Sequence, residues 1–274
     1  MKLTLAFSSC PNDTFMFDAM VHNKIDTEGL EFEVVIDDIE NLNTSALNKK
    51  FDITKISFSA FSNLTKDYVL LDSGAALGNN CGPILVSKPN HEFSFDSKIA
   101  IPGKNTTANM LLEFFFPNYN NKLEFNFADI EDQVLNEIVD AGVIIHENRF
   151  TYKQKGLVKV KDLGSMWEEK EDLPIPLGGI VVNRRHDYIT QNKIERVLKK
   201  SVEYALKNPE SSIDYVMSYA QGVKKDIVKS HISLYVNKYS ISLGKKGRES
   251  VERFLSKINP YTNIPSVFIS NFTS

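Results

Sequence analysis

The chain has 274 residues, with 32 Lys+Arg against 35 Asp+Glu and a formal net charge of −3. That near balance argues against a nucleic-acid binder, which carries a basic surplus, while leaving room for a local basic pocket. At 42% hydrophobic and 24% charged, the composition is that of a soluble globular protein of one large domain or two, big enough to fold without disulfide or metal staples; no apolar run approaches the roughly 18 residues needed to span a bilayer.

Taken in chain order, residues 3–7 alternate as a first strand. A lysine, a short apolar stretch and Cys10 also resemble a lipoprotein signal, but a secretory core needs roughly 7–15 apolar residues, so mature structure is expected. Residues 14–21 read as a helix with Asn12, Asp13 or Thr14 as its cap. A strand over 30–36, a helix over 39–48, a strand over 51–56 running into a helix over 57–64, and a strand over 84–87 continue the rhythm. It restarts with a strand at 98–102, the turn Gly103-Lys104-Asn105-Thr106-Thr107, a helix over 108–115, and strands at 140–145, 158–160 and 179–182. From Thr190 the pattern is helical: Ile194, Val197, Leu198, Val202, Ala205 and Leu206 fall at helical spacing. Pro209 suits the first turn of the next helix, and 223–235 and 248–258 read as two more amphipathic helices. The tail after Asn259, with Pro260 and Pro265, either packs on a partner or frays.

This alternation predicts an α/β fold with largely parallel sheets. No low-complexity linker separates the halves, so two discontinuous lobes are expected: 1–97 with 183–274 as the larger, 98–182 as the smaller, and a hinge at the two crossings. Such a topology leaves a cleft between lobes, a favoured small-molecule site. Two cysteines make no disulfide framework; Cys10 and Cys81 read as reduced thiols of a cytoplasmic protein. Metal-ligand spacings are absent, so no metal site is expected.

Ligands of α/β sheets bind beyond the carboxyl ends of strands. Four such ends carry polar clusters: 8–14, Thr54-Lys55-Ile56-Ser57, 103–107, and His146-Glu147. The glycine turn before Thr106 and Thr107 offers free N–H groups at a helix start, suited to a carboxylate; equally, Thr106 is simply an N-cap. His146 follows an apolar strand and suits general-base work or a structural role. Lys55 is either a pocket cation or a snorkelling side chain, and Asp13 an acid/base or a cap. His22, His91, His186 and His231 carry no comparable signal.

Together, Ser8-x-Cys10-Pro11-Asn12-Asp13-Thr14-Phe15, Thr54-Lys55-x-Ser57, Ser73-Gly74-x-Ala76-Leu77-Gly78, Pro102-Gly103-x-x-Thr106-Thr107 and Ile144-Ile145-His146-Glu147-x-Arg149-Phe150-Thr151-Tyr152 resemble the 1,4-dihydroxy-6-naphthoate synthase family of the futalosine route to menaquinone. Asp162-Leu163-Gly164, Leu173-Pro174-x-Pro176-Leu177-Gly178 and Tyr235-Val236-Asn237 extend the resemblance to about residue 245. Ser9 stands where that family has proline. The resemblance implies a two-lobed type-2 periplasmic-binding-protein-like fold in a cytoplasmic enzyme. It implies a carbon-carbon lyase acting on cyclic dehypoxanthinylfutalosine, with a small-molecule substrate, no cofactor, and no nucleic-acid or membrane partner. It places His146 as base and matches Lys55, Ile56, Ser57, Thr106, Thr107 and Ala108 to substrate contacts, with Asn12, Asp13 and Arg149 as further candidates. The competing readings are a solute-binding receptor of an ABC transporter, since one fold serves many functions, and the related chorismate dehydratase.

Overall fold

The computed structural model describes residues 1–220, 222–259 and 267–269. In chain order its strands are β1 (Lys2–Phe7), β2 (Glu31–Ile36), β3 (Ile53–Ser57), β4 (Tyr68–Leu70), β5 (Ala76–Gly78), β6 (Ile84–Ser87), β7 (Ile99–Ile101), β8 (Lys122–Glu124), β9 (Ala141–Ile144), β10 (Val158–Asp162) and β11 (Ile175–Asn183). The helices are α1 (Pro11–Val21), α2 (Ile39–Leu47), α3 (Phe58–Phe61), α4 (Thr107–Phe115), α5 (Ile130–Leu135), α6 (Asn148–Thr151), α7 (Leu163–Glu171), α8 (Tyr188–Lys207), α9 (Ile213–Tyr219), α10 (Lys225–Tyr235), α11 (Lys238–Ile241) and α12 (Gly244–Ile258). None is long and apolar enough to cross a membrane among the described residues. Pro260 and Pro265 lie outside the described residues; beyond them, Phe268 bridges Leu70 in parallel.

Two sheets form. The first runs β2-β1-β3-β11-β4 with β5 on β11, the second β10-β6-β9-β7-β8. The expectation of largely parallel sheets holds only around β1 and β7. β1 pairs in parallel with β2 and β3, and β7 with β8 and β9. β11, returning from the second sheet, runs antiparallel to β3, β4 and β5, and β6 runs antiparallel to β9 and β10. A strand that carries the chain back between sheets enters against the direction of the βαβ strands, which makes each sheet mixed.

The crossings also lie elsewhere than at residues 98 and 183. β6 already belongs to the second sheet and the whole of β11 to the first, so the chain crosses between 78 and 84 and again between 162 and 175. Pro176 within β11 is tolerated because the β11–β5 pairing shifts register between Pro176 and Gly178, a place where no ladder N–H is required.

Apolar packing follows from the residue pattern. On α8, Ile194, Val197, Leu198, Val202 and Ala205 form the buried stripe, packing with Leu3, Leu5 and Phe7 of β1 and Phe15 and Phe17 of α1 in one core. A second cluster joins the sheets: Ile56 of β3 and Phe58 of α3 pack with Ile99, Val143 and Trp167 around the second. Side chains of this size dominate core energetics, at about 1.5–3 kcal/mol for each fully buried Leu or Phe. This shared core packs the two sheets against each other.

Candidate active site

The cleft holds about 630 Å³ of space, counting its open mouth. Its first wall comes from the ends of β1 and β3 and the start of α1: Ser8, Asn12, Asp13, Lys55, Ile56 and Ser57. The opposite wall comes from Thr106, Thr107 and Ala108 at the start of α4 and His146 after β9, and Tyr235 of α10 also lines the cleft. The polar clusters at four strand ends therefore converge on one space.

Asp13 lies in the first turn of α1, which starts earlier than its apolar spacing suggests: Cys10 is the N-cap and Pro11 occupies the first turn, where a missing N–H has no cost. The Asp13 carboxylate is 1% exposed. One oxygen accepts from Asn12 Nδ2 at 2.7 Å and Lys55 Nζ at 3.0 Å; the other accepts from Ser8 Oγ at 2.7 Å and more distantly from Ser8 N at 3.4 Å. Four donors leave no oxygen lone pair directed at a ligand, so Asp13 is an anchor for Lys55. Lys55 is itself buried and faces this carboxylate, which decides against snorkelling. Ser57 is fixed by Asn43, whose Oδ1 accepts from Ser57 N at 2.9 Å and whose Nδ2 donates to Ser57 Oγ at 3.1 Å.

Thr106 is the N-cap of α4, its Oγ1 accepting from Asn109 N at 3.2 Å and donating to the Gly103 carbonyl at 2.7 Å. Thr107 Oγ1 donates to the Leu177 carbonyl at 2.7 Å. Both hydroxyl protons are thus committed. The Asn105 N–H is taken by Glu40, at 3.1 and 3.2 Å from its two carboxylate oxygens. What the turn still offers a ligand are the Thr107 and Ala108 N–H groups, which a helix start leaves without intrahelical partners.

His146 follows β9 with φ +56°, a left-handed conformation that is uncommon outside glycine and marks a constrained side-chain direction. Its imidazole lies 3.2 Å (Nδ1) and 3.6 Å (Nε2) from Cys10 Sγ, edge-on to Phe127 at 4.7 Å and nearly parallel to His231 at 6.3 Å. Burial pulls its pKa down to about 4; the Asp13 carboxylate opposes this and Lys55 adds to it. The imidazole is therefore neutral at pH 7, in the form that accepts a proton. Burial likewise pushes the Cys10 thiol well up, helped by Glu147 and Asp13, so this pair is thiol and imidazole, and the ion-paired nucleophile of thiol enzymes is disfavoured. Among the described residues no group of three or more His, Cys, Asp or Glu side chains is arranged to hold a metal ion.

Arg149 is not brought to the cleft. Its guanidinium pairs with Asp162 at 2.8 Å and bonds the Gly82 carbonyl, tying α6 to the crossing and to β10. His231 and Tyr235, not among the candidate site residues read from the sequence, join the site instead. His231 is fully buried, its Nε2 2.9 Å from Asn12 Oδ1; because Asn12 Nδ2 is spent on Asp13, Oδ1 must accept and His231 carries its proton on Nε2. Tyr235 packs on His231 at 4.5 Å. The helical spacing of Val228, His231, Ile232 and Tyr235, all buried on α10, is the signal that places them on the inward face.

The chain is similar to known proteins over nearly its whole length. The profile of a family described as menaquinone biosynthesis matches residues 3–259. The chain is 38% identical over 255 residues to the 1,4-dihydroxy-6-naphthoate synthase of Thermus thermophilus, covering 93% of each chain. It is 32% identical over 270 residues to that of Streptomyces coelicolor, covering 97% of this chain and 95% of the other. A crystal structure of a protein from Archaeoglobus fulgidus superposes with a TM-score of 0.88 at 36% identity, over 95% of this chain and 98% of that one. The ligand-binding component of an ABC-type import system from Staphylococcus aureus superposes with a TM-score of 0.70 at 14% identity, over 98% and 96%. At that identity the likeness concerns the fold, which is periplasmic-binding-protein-like and two-lobed.

Proposed function

The chain belongs to the menaquinone biosynthesis family, and within it we propose that it is a 1,4-dihydroxy-6-naphthoate synthase acting in the cytoplasm on cyclic dehypoxanthinylfutalosine, a carbon-carbon lyase with His146 as general base. The observation that carries this reading is a neutral imidazole on the cleft wall in a chain matched nearly end to end by synthases. His146 removes a proton from the sugar-derived part of the substrate, which starts ring opening and elimination, and aromatisation of the naphthalene ring supplies the driving force. General-base catalysis contributes about 10²–10⁴-fold; orientation and charge stabilisation in the closed cleft supply the rest.

The substrate carboxylate docks at the Thr107 and Ala108 N–H groups. Lys55 is less suited to that task because its charge already faces Asp13. A base whose pKa sits near 4 is weak, but an anionic substrate adds negative charge beside it and moves its pKa back up. Incubating the purified protein with cyclic dehypoxanthinylfutalosine and detecting dihydroxynaphthoate by mass spectrometry tests the reaction; binding without turnover supports a receptor, and dehydration of chorismate supports the dehydratase. His146→Ala is expected to abolish turnover with substrate affinity unchanged within a few-fold, and His146→Asn, which keeps size and polarity, is expected to do the same. Near-normal turnover in either variant removes His146 from the mechanism.

A further inference from the structure

We propose that Cys10 is the positioning residue of His146: a thiol packed on the imidazole that fixes its place in the cleft without placing a charge beside it. The inference rests on His146 being the base. Cys10 Sγ is 3.2 Å from Nδ1 and 3.6 Å from Nε2, and among the described residues it is the one side chain within hydrogen-bonding distance of the ring. The other ring contacts, Phe127 and His231, are aromatic packing. Cys10 is well rooted for the task. It is 4% exposed, its backbone is the extended N-cap of α1 with Pro11 behind it, and its carbonyl accepts from Asp13 N at 3.1 Å and Thr14 N at 3.0 Å.

The choice of sulfur has a chemical reason. A carboxylate in this place, the usual orienting partner of a catalytic histidine, would hold the ring but favour its charged form. A neutral thiol is a weak, polarisable partner that orients the ring and leaves it deprotonated until the anionic substrate brings the charge that strengthens the base. The charged and titratable groups around the pair are Asp13 and Lys55 on the first wall, Glu147 beside His146, and His231 and Tyr235 on α10; the neutral thiol adds no charge to them. With the sulfur accepting from the protonated ring nitrogen, the other nitrogen is left free for the substrate proton.

The test compares Cys10→Ala, Cys10→Ser and Cys10→Asp. Cys10→Ala is expected to lower kcat by about 10²-fold, the typical cost of a misplaced group, with KM nearly unchanged; Cys10→Ser, which keeps a small polar partner, is expected to restore most of it. In ligand-free protein, ¹⁵N NMR of the His146 ring, assigned by its loss in His146→Asn, is expected to shift in Cys10→Ala, and its titration to move to higher pH in Cys10→Asp. Unaltered ring resonances in Cys10→Ala, or kcat within about two-fold of the parent in an active enzyme, overturn the proposal. If the parent protein does not turn over cyclic dehypoxanthinylfutalosine, the assigned reaction fails, and the ring resonances alone decide on the thiol.

Discussion

Asp13 and Lys55 are each nearly inaccessible to water, and each is the other's counter-charge. Taking one partner from such a pair strands the other in a poorly solvated site, which costs about 3–5 kcal/mol, whereas removing both is far milder. Asp13→Asn is therefore expected to lower the urea midpoint sharply, and Asp13→Asn with Lys55→Met to recover most of the loss. A double variant as unstable as the sum of its single variants would show that the two charges do not interact. The histidines have a separate signature. His146 falls from an ordinary 6.5 to about 4 and His231 lies well below its ordinary value, both through burial. Between pH 6.5 and 4 the unfolded chain then binds more protons than the folded one, so stability present above pH 6.5 is lost as the pH falls toward 4. Glu40, Glu147 and Glu195, raised by burial, act in the opposite sense, because their folded forms hold protons that the unfolded chain releases. The informative quantity is the difference between parent and His146→Asn: the variant is expected to lose less stability between pH 7 and pH 5. Equal losses in urea melts at the two pH values would contradict a depressed His146.

Elements with a strong local period are legible in the residues alone: α8 with its apolar stripe, β1 with its alternation, and α4 with Thr106 as cap all stand where the sequence pattern puts them. The short pieces are not. β4 and β5, three buried residues each, have no period to detect; they are strands because β11 pairs with them. β8 is likewise an edge strand defined by β7. The polar clusters of the site are legible because they sit at strand ends, whereas His231 is hidden inside a helix and acquires its role from Asn12, 219 residues away. One turn shows how local backbone and distant contact combine. Gly103 has φ +139°, and a Cβ there would lie 2.4–2.5 Å from the Glu40 side chain. The side chain can yield, but the backbone angle disfavours any L residue. Gly103→Ala is expected to destabilise by about 1–3 kcal/mol, read as a lowered Tm, and to weaken substrate binding by displacing the start of α4. An unchanged Tm would mean that the turn relaxes freely.

At the scale of the whole molecule, the two sheets share a core and are also joined through polar groups. Glu40 belongs to α2, which packs on the first sheet. Asn105 belongs to the turn between β7 and α4 of the second. Glu40 accepts from the Asn105 backbone N–H and, at 2.5 Å, from its side-chain amide, and the neighbours Ile39 and Thr106 both line the cleft. Opening the lobes would break these bonds and return the carboxylate to water, so the contact favours the closed arrangement only by its margin over hydration. Hydrogen bonds to charged groups carry such margins of about 1.5–3 kcal/mol. In the proposed function, where the cleft closes over the substrate to exclude water, that margin contributes to substrate affinity. Glu40→Gln and Asn105→Ala are each expected to weaken substrate binding, and the double variant to be little worse than either, with a coupling of about 1–2 kcal/mol in a double-mutant cycle. Small-angle scattering of ligand-free Glu40→Gln is expected to show a larger radius of gyration than the parent. Strictly additive losses of affinity with unchanged scattering would mean that Glu40 orders the Gly103–Thr107 turn without bearing on the opening of the lobes.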